Sequence, residues 1–198
     1  MSKTILVLIN GHAGVGKDTF VGFCREWAES ESKCRVYNFH RSDAPKDALR
    51  YLGWDGKKDD PTRKLLKDMV DYMESKGLLN RFLQDELRAS ISVNTMVDSV
   101  MFYHVRDPEV MYELMDIYTS QTDMNVKPIS VLITRDLEHP IEPSDWWGDL
   151  EKADYTMTIK LPNDLQKTEK VAIDFMEFLL SDSWRVVKQE DATWITTI

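Results

Sequence analysis

Residues 9–20 read INGHAGVGKDTF, in which the glycines and the lysine have the G-x-x-x-x-G-K spacing of a phosphate-binding loop. Gly11, Gly14 and Gly16 let the backbone curl around an anion with its amide groups pointing inward. Lys17 can reach the β- and γ-phosphates of a bound nucleotide. The residue after the lysine is ordinarily a Ser or Thr that holds magnesium, but here it is Asp18, followed by Thr19. The stretch therefore predicts phosphate binding with an altered metal arrangement.

The neighbouring sequence places this loop between a strand and a helix. Residues 4–9 form a continuous apolar run, typical of a parallel strand buried on both faces. Apolar residues recur at helical spacing over 18–30, so that the helix N-terminus adds its partial positive charge to the loop. The predicted phosphate contacts come from Gly11, Ala13, Gly14, Val15, Gly16, Lys17, Asp18 and Thr19.

Asp18 needs an explanation, because a carboxylate beside a triphosphate is repulsive unless a cation lies between them or close by. It can hold Mg²⁺ through water, pair with an arginine or lysine that moves between substrate and enzyme, or accept a proton from a substrate hydroxyl. A purely structural alternative is an acidic residue that stabilises the helix N-terminus. The sequence alone leaves these roles open.

The rest of the chain alternates strands and helices, which predicts an α/β fold with a doubly wound, mostly parallel sheet that binds ligands at the carboxyl ends of its strands. We expect one domain over 1–198, with a helical lid or acceptor-binding insertion at about 41–95 and a C-terminal tail, 183–198, that forms a hairpin. The further predicted strands are 34–39, 99–105, 129–134 and 155–159, and the further helices are 44–52, 61–73, 80–92, 108–118 and 165–180.

The segment 41–67 is locally basic, with eight basic and five acidic residues in a chain whose net charge is -9. Arg41, Lys46 and Arg63 lie just after a strand or near a helix start, where an acceptor phosphate would bind. Arginine matches phosphate oxygens with two parallel hydrogen bonds. We predict these three as acceptor-binding residues, although a solvated basic face is the alternative.

Two further strand ends carry charged residues. Arg106 and Asp107 follow the strand 99–105, where they can orient an acceptor or hold a magnesium-bound water; a helix-capping ion pair is the alternative. Arg135 follows the next strand and can approach the transferring phosphoryl group or stack on a base. The loop 136–149 is long enough to be a lid or a packed surface loop. His104 is interpreted as a core histidine, which leaves no obvious histidine or glutamate base at this edge.

Together, these motifs resemble those of P-loop nucleoside monophosphate kinases, and Gly-Lys-Asp-Thr in particular is similar to the loop of the deoxynucleoside monophosphate kinases of bacteriophages. FHRSDAPKDALRYLGW (39–54), PTRKLLKDM (61–69) and YHVRDPEV (103–110) resemble further family motifs in the same order, with Pro45, Lys46 and Arg63 at matching positions. The resemblance extends from residue 5 to about 178. The chain departs from it at His104, where the family has Asp, and by an extra residue within SDAPKD.

The resemblance implies a P-loop kinase that transfers phosphate from ATP, with Mg²⁺, to a (deoxy)nucleoside monophosphate. Lys17, Asp18, Arg106 and Arg135 would be the catalytic residues, Asp107 would join the acceptor site, and Asp18 would bind the metal through water. A monophosphate is largely ionised at pH 7 and needs no general base. The alternatives are a kinase of a hydroxyl acceptor, such as a coenzyme A precursor or a sugar, and a nucleotide-binding protein without turnover.

The composition limits which classes of binding partner are expected. The net charge of -9 argues against nucleic-acid or anionic-membrane binding as the main role, so small-molecule nucleotides are the expected partners, and a homodimer stays open. The sequence contains two cysteines, Cys24 and Cys34, and no apolar run of membrane-spanning length. We therefore expect a cytoplasmic protein, in the host cytoplasm if a phage encodes it.

Overall fold

The computed structural model describes residues 3–57, 59–93, 97–120, 126–136 and 153–181, without the side chains of 91–93. Residues 137–149 of the predicted lid or surface loop, and the predicted C-terminal hairpin, lie outside these residues. Within them the strands are β1 Thr4–Asn10, β2 Arg35–His40, β3 Ser99–His104, β4 Val126–Thr134 and β5 Met157–Lys160. The helices are α1 Lys17–Ser30, α2 Asp43–Tyr51, α3 Asp60–Ser75, α4 Leu78–Val93, α5 Pro108–Ser120 and α6 Leu165–Leu180.

The strands form one sheet in the order β2-β3-β1-β4-β5, and every described pairing is parallel. All strand carboxyl ends therefore meet at one edge, where the loop between β1 and α1 begins. The predicted doubly wound, parallel α/β sheet is confirmed. The predicted division into one domain with an insertion stays a prediction, although α2, α3 and α4 do lie between β2 and β3 in the chain.

Helices cover both faces of the sheet. Successive residues of β1 point to opposite faces, and the apolar ones are buried on both. Ile5, Val7 and Ile9 face a core shared with α1 and α6, where Phe20 and Phe175 pack with ring centroids 5.4 Å apart. Leu6 and Leu8 belong to a second core that includes α4 and α5 residues. Burying an aromatic or aliphatic side chain this fully stabilises the fold by about 1.5–3 kcal/mol. The central strand is thereby fixed between two layers, as its continuous apolar pattern predicts.

The strand bounds differ from the predicted ones by one to three residues, and the largest differences are at the starts of β4 and β5. β4 begins at Val126 rather than at 129, so it includes Pro128. The proline is tolerated because β4 pairs with β5 only from Val131 onward, and Pro128 lies in the part paired with β1 alone. β5 begins at Met157 rather than at 155, since Thr156 bonds the side chain of Ser130 instead of joining the backbone ladder.

The structure also bears on membrane association. Among the helices of the described segments, none combines the length and the apolar character that crossing a bilayer requires.

Candidate functional site

Three adjacent strands end side by side at the loop edge of the sheet. In the register of the sheet, Ile9 of β1 lies opposite His104 of β3, and His104 lies opposite His40 of β2. The segments that follow these strands therefore start next to one another. They contain the phosphate-binding loop, Arg41 and Arg106, so residues that are far apart in sequence share one site.

The backbone of the phosphate-binding loop requires glycine at two of its positions. Gly11 has φ 140°, and a Cβ there would lie 2.3 Å from the carbonyl oxygen of Ile133 in β4. Gly16 has φ 95° and lies against the guanidinium of Arg135, with a Cβ position 3.1 Å from its Nη2. Asn10 fixes the start of the loop, because its Oδ1 accepts a hydrogen bond from the Gly11 amide at 2.7 Å.

The first turn of α1 is left without a side-chain cap. Gly16 occupies the N-cap position and has no side chain to accept from the first amides. By contrast, Asp59 accepts from the Thr62 amide at the start of α3, and Asp164 accepts from the Lys167 amide at the start of α6. Because amides at a helix start attract anions, the uncapped α1 suits a phosphate.

Lys17 lies inside the loop. Its Nζ donates to the carbonyl oxygens of Gly11 and His12 at 2.5 and 2.9 Å. Burial lowers the pKa of Lys17 to about 8; Asp18 opposes this shift and Arg106 adds to it. The charged ammonium is thus held where an anion would stabilise it, which is consistent with the predicted phosphate contact.

Arg135 follows β4 and lies beside the same loop. Its Nη2 donates to Oγ1 of the buried Thr168 in α6 at 3.3 Å, which fixes the guanidinium near Gly16. Within the described segments its Nε is buried and has no hydrogen-bond partner. A buried donor without a partner costs about 1–3 kcal/mol, so an anion that accepts from it would be stabilised.

An open cleft lies beside β5 and includes Asp136, the residue after Arg135. Asp136 forms an ion pair with Lys160 of β5 at 2.8 Å, and both residues line the cleft. Its other walls come from the β5–α6 connection and the first turns of α6, including Pro162 and Lys170. The lining of the cleft therefore begins one residue away from Arg135, which lies beside the loop.

Asp18 has two histidine neighbours. Its Oδ1 lies 3.4 Å from Nε2 of His40 and 3.7 Å from Nε2 of His104. The two imidazole rings stack, with centroids 3.9 Å apart and an interplanar angle of 19°. His104 Nε2 also lies 2.8 Å from Oδ1 of Asn38. The side chain of Asp18 is 76% exposed, whereas that of His104 is 9% exposed, so the cluster connects the loop surface to the buried strand edge.

The electrostatic environment keeps His104 neutral. Burial lowers the pKa of His104 to about 3, and the nearby His40, Lys17 and Lys46 act in the same direction. A neutral imidazole has one nitrogen with a free lone pair and one N–H donor. His104 is therefore suited to hydrogen bonding or metal ligation near neutral pH, and it is buried and bonded as the sequence analysis predicts.

Histidines at this edge contradict one expectation. The sequence analysis found no histidine base there, but His40 and His104 both lie next to Asp18. His40 was missed because only the pairing of β2 with β3 places it beside His104. The usable signal was that His40 and His104 each end a strand and that an arginine follows one or two residues later.

Two of the predicted acceptor residues, Arg41 directly after β2 and Lys46 in α2, are already paired. Arg41 forms an ion pair with Glu74 of α3, and burial lowers its pKa, while Tyr103 and Asp107 oppose that shift. Lys46 donates to Asp43 at 2.8 Å, and Asp43 also accepts from the His40 backbone amide at 2.7 Å. Both cations are therefore oriented near the histidine pair.

The remaining predicted residues are spread more widely. Arg106 is exposed just after β3, and its carbonyl accepts a hydrogen bond from Asn10 at 3.2 Å. Asp107 accepts from the Glu109 amide at 2.9 Å, the capping arrangement considered as its structural alternative. Arg63 is exposed in the first turn of α3, and Thr19 is exposed in the first turn of α1. The roles of all four stay predictions.

Comparisons with known proteins give a distant structural likeness only. No protein-family model matches the sequence, and no curated protein matches it. A mutant of the Mycobacterium tuberculosis APS kinase CysC is similar over 89% of this chain and 99% of its own, with 11% identity and a TM-score of 0.40. FlhF, complexed with GMPPNP and Mg²⁺, is similar over 86% of this chain and 61% of its own, with 13% identity and a TM-score of 0.38. We therefore argue function from the site itself.

Proposed function

We propose that this protein transfers the terminal phosphoryl group of ATP to a (deoxy)nucleoside monophosphate. The observation that carries the proposal is the uncapped start of α1, with Lys17 inside its loop, at the same sheet edge as the cations that follow β2 and β3. A donor triphosphate at the loop and an acceptor phosphate at that edge would lie close together, as phosphoryl transfer requires.

On the donor side, Lys17 would exchange a loop carbonyl for a phosphate oxygen, and the Arg135 guanidinium would contribute donors from beside Gly16. The cleft beyond Arg135 would hold the base. Asp18 and Thr19 present exposed oxygen donors that fit Mg²⁺ held through water, and the ion would neutralise charge on the phosphates. Catalysis then consists mainly of positioning and charge neutralisation by this chain's cations.

On the acceptor side, Arg41 and Lys46 would bind the monophosphate. A guanidinium has five N–H donors, so the pair that Arg41 forms with Glu74 leaves donors for phosphate oxygens. Arg106 lies close enough to Lys17 to lower its pKa, so in this proposal its positive charge would act near the transferred phosphoryl group. An already ionised acceptor phosphate needs no proton removal, so this reaction does not depend on the histidines.

A second candidate is transfer to a hydroxyl group, and the contact between Asp18 and His40 favours it. Such an acceptor must lose a proton, and a carboxylate–imidazole pair 3.4 Å apart can provide the base. The two candidates make different predictions for the same variants. Only the hydroxyl reaction should lose about 10²–10⁴-fold in turnover when the base is removed.

The test is the turnover number of wild type, Asp18→Asn and His40→Gln with ATP, Mg²⁺ and a panel of acceptors. For a monophosphate acceptor we expect His40→Gln to retain turnover within about tenfold of wild type, below the range for a lost base. If the protein instead uses a hydroxyl acceptor, and His40→Gln loses more turnover than this while ATP binding is unchanged, the second candidate would replace the first. Lys33→Gln, at an exposed residue of the turn before β2, is the matched surface control.

A further inference from the structure

The cluster of Asp18, His40 and His104 has a composition that phosphate binding does not explain. One carboxylate oxygen and two imidazole nitrogens lie within 4.8 Å of one another. Mg²⁺ prefers oxygen ligands, whereas paired imidazoles with a carboxylate suit zinc and neighbouring first-row metals. Its ligand types therefore distinguish this cluster from the oxygen-rich site expected for nucleotide-bound magnesium.

The distances within the cluster fit a metal site. Zinc bonds histidine nitrogen and carboxylate oxygen at about 2.0–2.2 Å, so two ligands of a tetrahedral ion lie about 3.4 Å apart. The Asp18 oxygen lies 3.4 Å from the His40 nitrogen and 3.7 Å from the His104 nitrogen. Both distances are therefore close to those between two ligands of one ion, and ligation also requires the stacked imidazole rings to turn so that both nitrogens face that ion.

We propose that Asp18, His40 and His104 bind a divalent transition-metal ion of the zinc type. Three protein ligands leave a coordination position for water or for an oxygen of a bound substrate, as in catalytic zinc sites. The site lies beside the phosphate-binding loop, so a bound ion would hold that oxygen on the acceptor side. The proposal goes beyond the kinase reaction, since metal binding needs no nucleotide.

Neighbouring groups set the expected strength of the site. Lys17 and Lys46 lie close enough to His104 to lower its pKa, and their charges also oppose a divalent ion. Asn38 contacts the His104 nitrogen at 2.8 Å, so its side chain must give up that contact when a metal binds. Because of this opposition we expect micromolar binding, weaker than that of a structural zinc site.

The test is a titration of the metal-free full chain with Co²⁺, followed by its visible absorption, and with Zn²⁺ by competition against a chromophoric chelator. We expect one equivalent to bind and each of Asp18→Asn, His40→Gln and His104→Gln to weaken binding at least tenfold. His12→Gln, at a loop histidine outside the cluster, is the matched control and should bind as wild type does. Millimolar Mg²⁺ should not displace the ion.

Binding that is absent, that lacks one-to-one stoichiometry, or that is unchanged in His40→Gln and His104→Gln would overturn the proposal. The near-isosteric variants reduce the risk of misfolding, and circular dichroism checks each of them. As a second readout, Zn²⁺ should raise the thermal midpoint of wild type and of His12→Gln, but not that of the three cluster variants. ATP turnover is measured separately, so failure of the metal site and failure of the kinase proposal remain distinguishable.

Discussion

Acidification should weaken the fold through His104. Its pKa is 6.5 in an unfolded chain and about 3 in the folded protein, mainly because the side chain is buried. Between these values the unfolded chain binds a proton that the folded protein rejects. Within this range, each unit by which the pH falls therefore lowers the free energy of unfolding by about 1.4 kcal/mol. From pH 6.5 to 4.5, the contribution of His104 is a loss of about 2.3 kcal/mol, and above about pH 7.5 almost no further stability is gained.

The assay is urea denaturation at pH 6.5 and 4.5, in the presence of a chelator, for wild type and His104→Gln. Comparing the two losses cancels every other titrating group and any constant effect of the substitution. Wild type should lose roughly 2–3 kcal/mol more than the variant over this interval. Equal losses in the two proteins would show that His104 takes up its proton in the folded state, and would refute the burial argument.

Three other perturbations test the loop. Gly11→Ala should lower the free energy of unfolding by about 1–3 kcal/mol, because its Cβ would meet a carbonyl oxygen of β4. The matched variant Gly22→Ala, in open space on α1, should raise the free energy of unfolding by up to about 1 kcal/mol. ATP affinity should fall above pH 8, where Lys17 loses its proton, and Lys17→Arg should remove that dependence in calorimetry. Thr168→Val should weaken ATP binding severalfold in the same assay by releasing Arg135, and unchanged affinity would exclude this positioning role.

Local patterns were sufficient for the parts of the fold that depend on nearby residues. The helix α6 was predicted with its observed bounds, because its apolar spacing is regular and Asp164 caps its first turn. The continuous apolar run of β1 likewise predicted a parallel strand buried on both faces. The phosphate-binding loop was predictable for the same reason, since its glycines and lysine lie within seven residues of sequence.

The parts of the site that depend on sheet register were not predictable from local pattern. His40 and His104 are 64 residues apart in sequence, and only the pairing of β2 with β3 places them opposite each other. The pairing of Arg41 with Glu74 depends in the same way on how α3 packs beside the strand end. Residue type therefore indicated a basic edge, but not which cations are already paired or which histidines lie beside Asp18.

The measurement that tests the central claim most directly is ADP release with ATP and Mg²⁺ across deoxynucleoside and nucleoside monophosphates, dephospho-coenzyme A and simple sugars. Lys17→Ala provides the blank, and Lys64→Ala, at an exposed surface ion pair on α3, provides the matched control. We predict turnover with one or a few nucleoside monophosphates, lost in Lys17→Ala and kept in Lys64→Ala. ATP binding without turnover for any acceptor would contradict the kinase proposal and favour a nucleotide-binding role without catalysis.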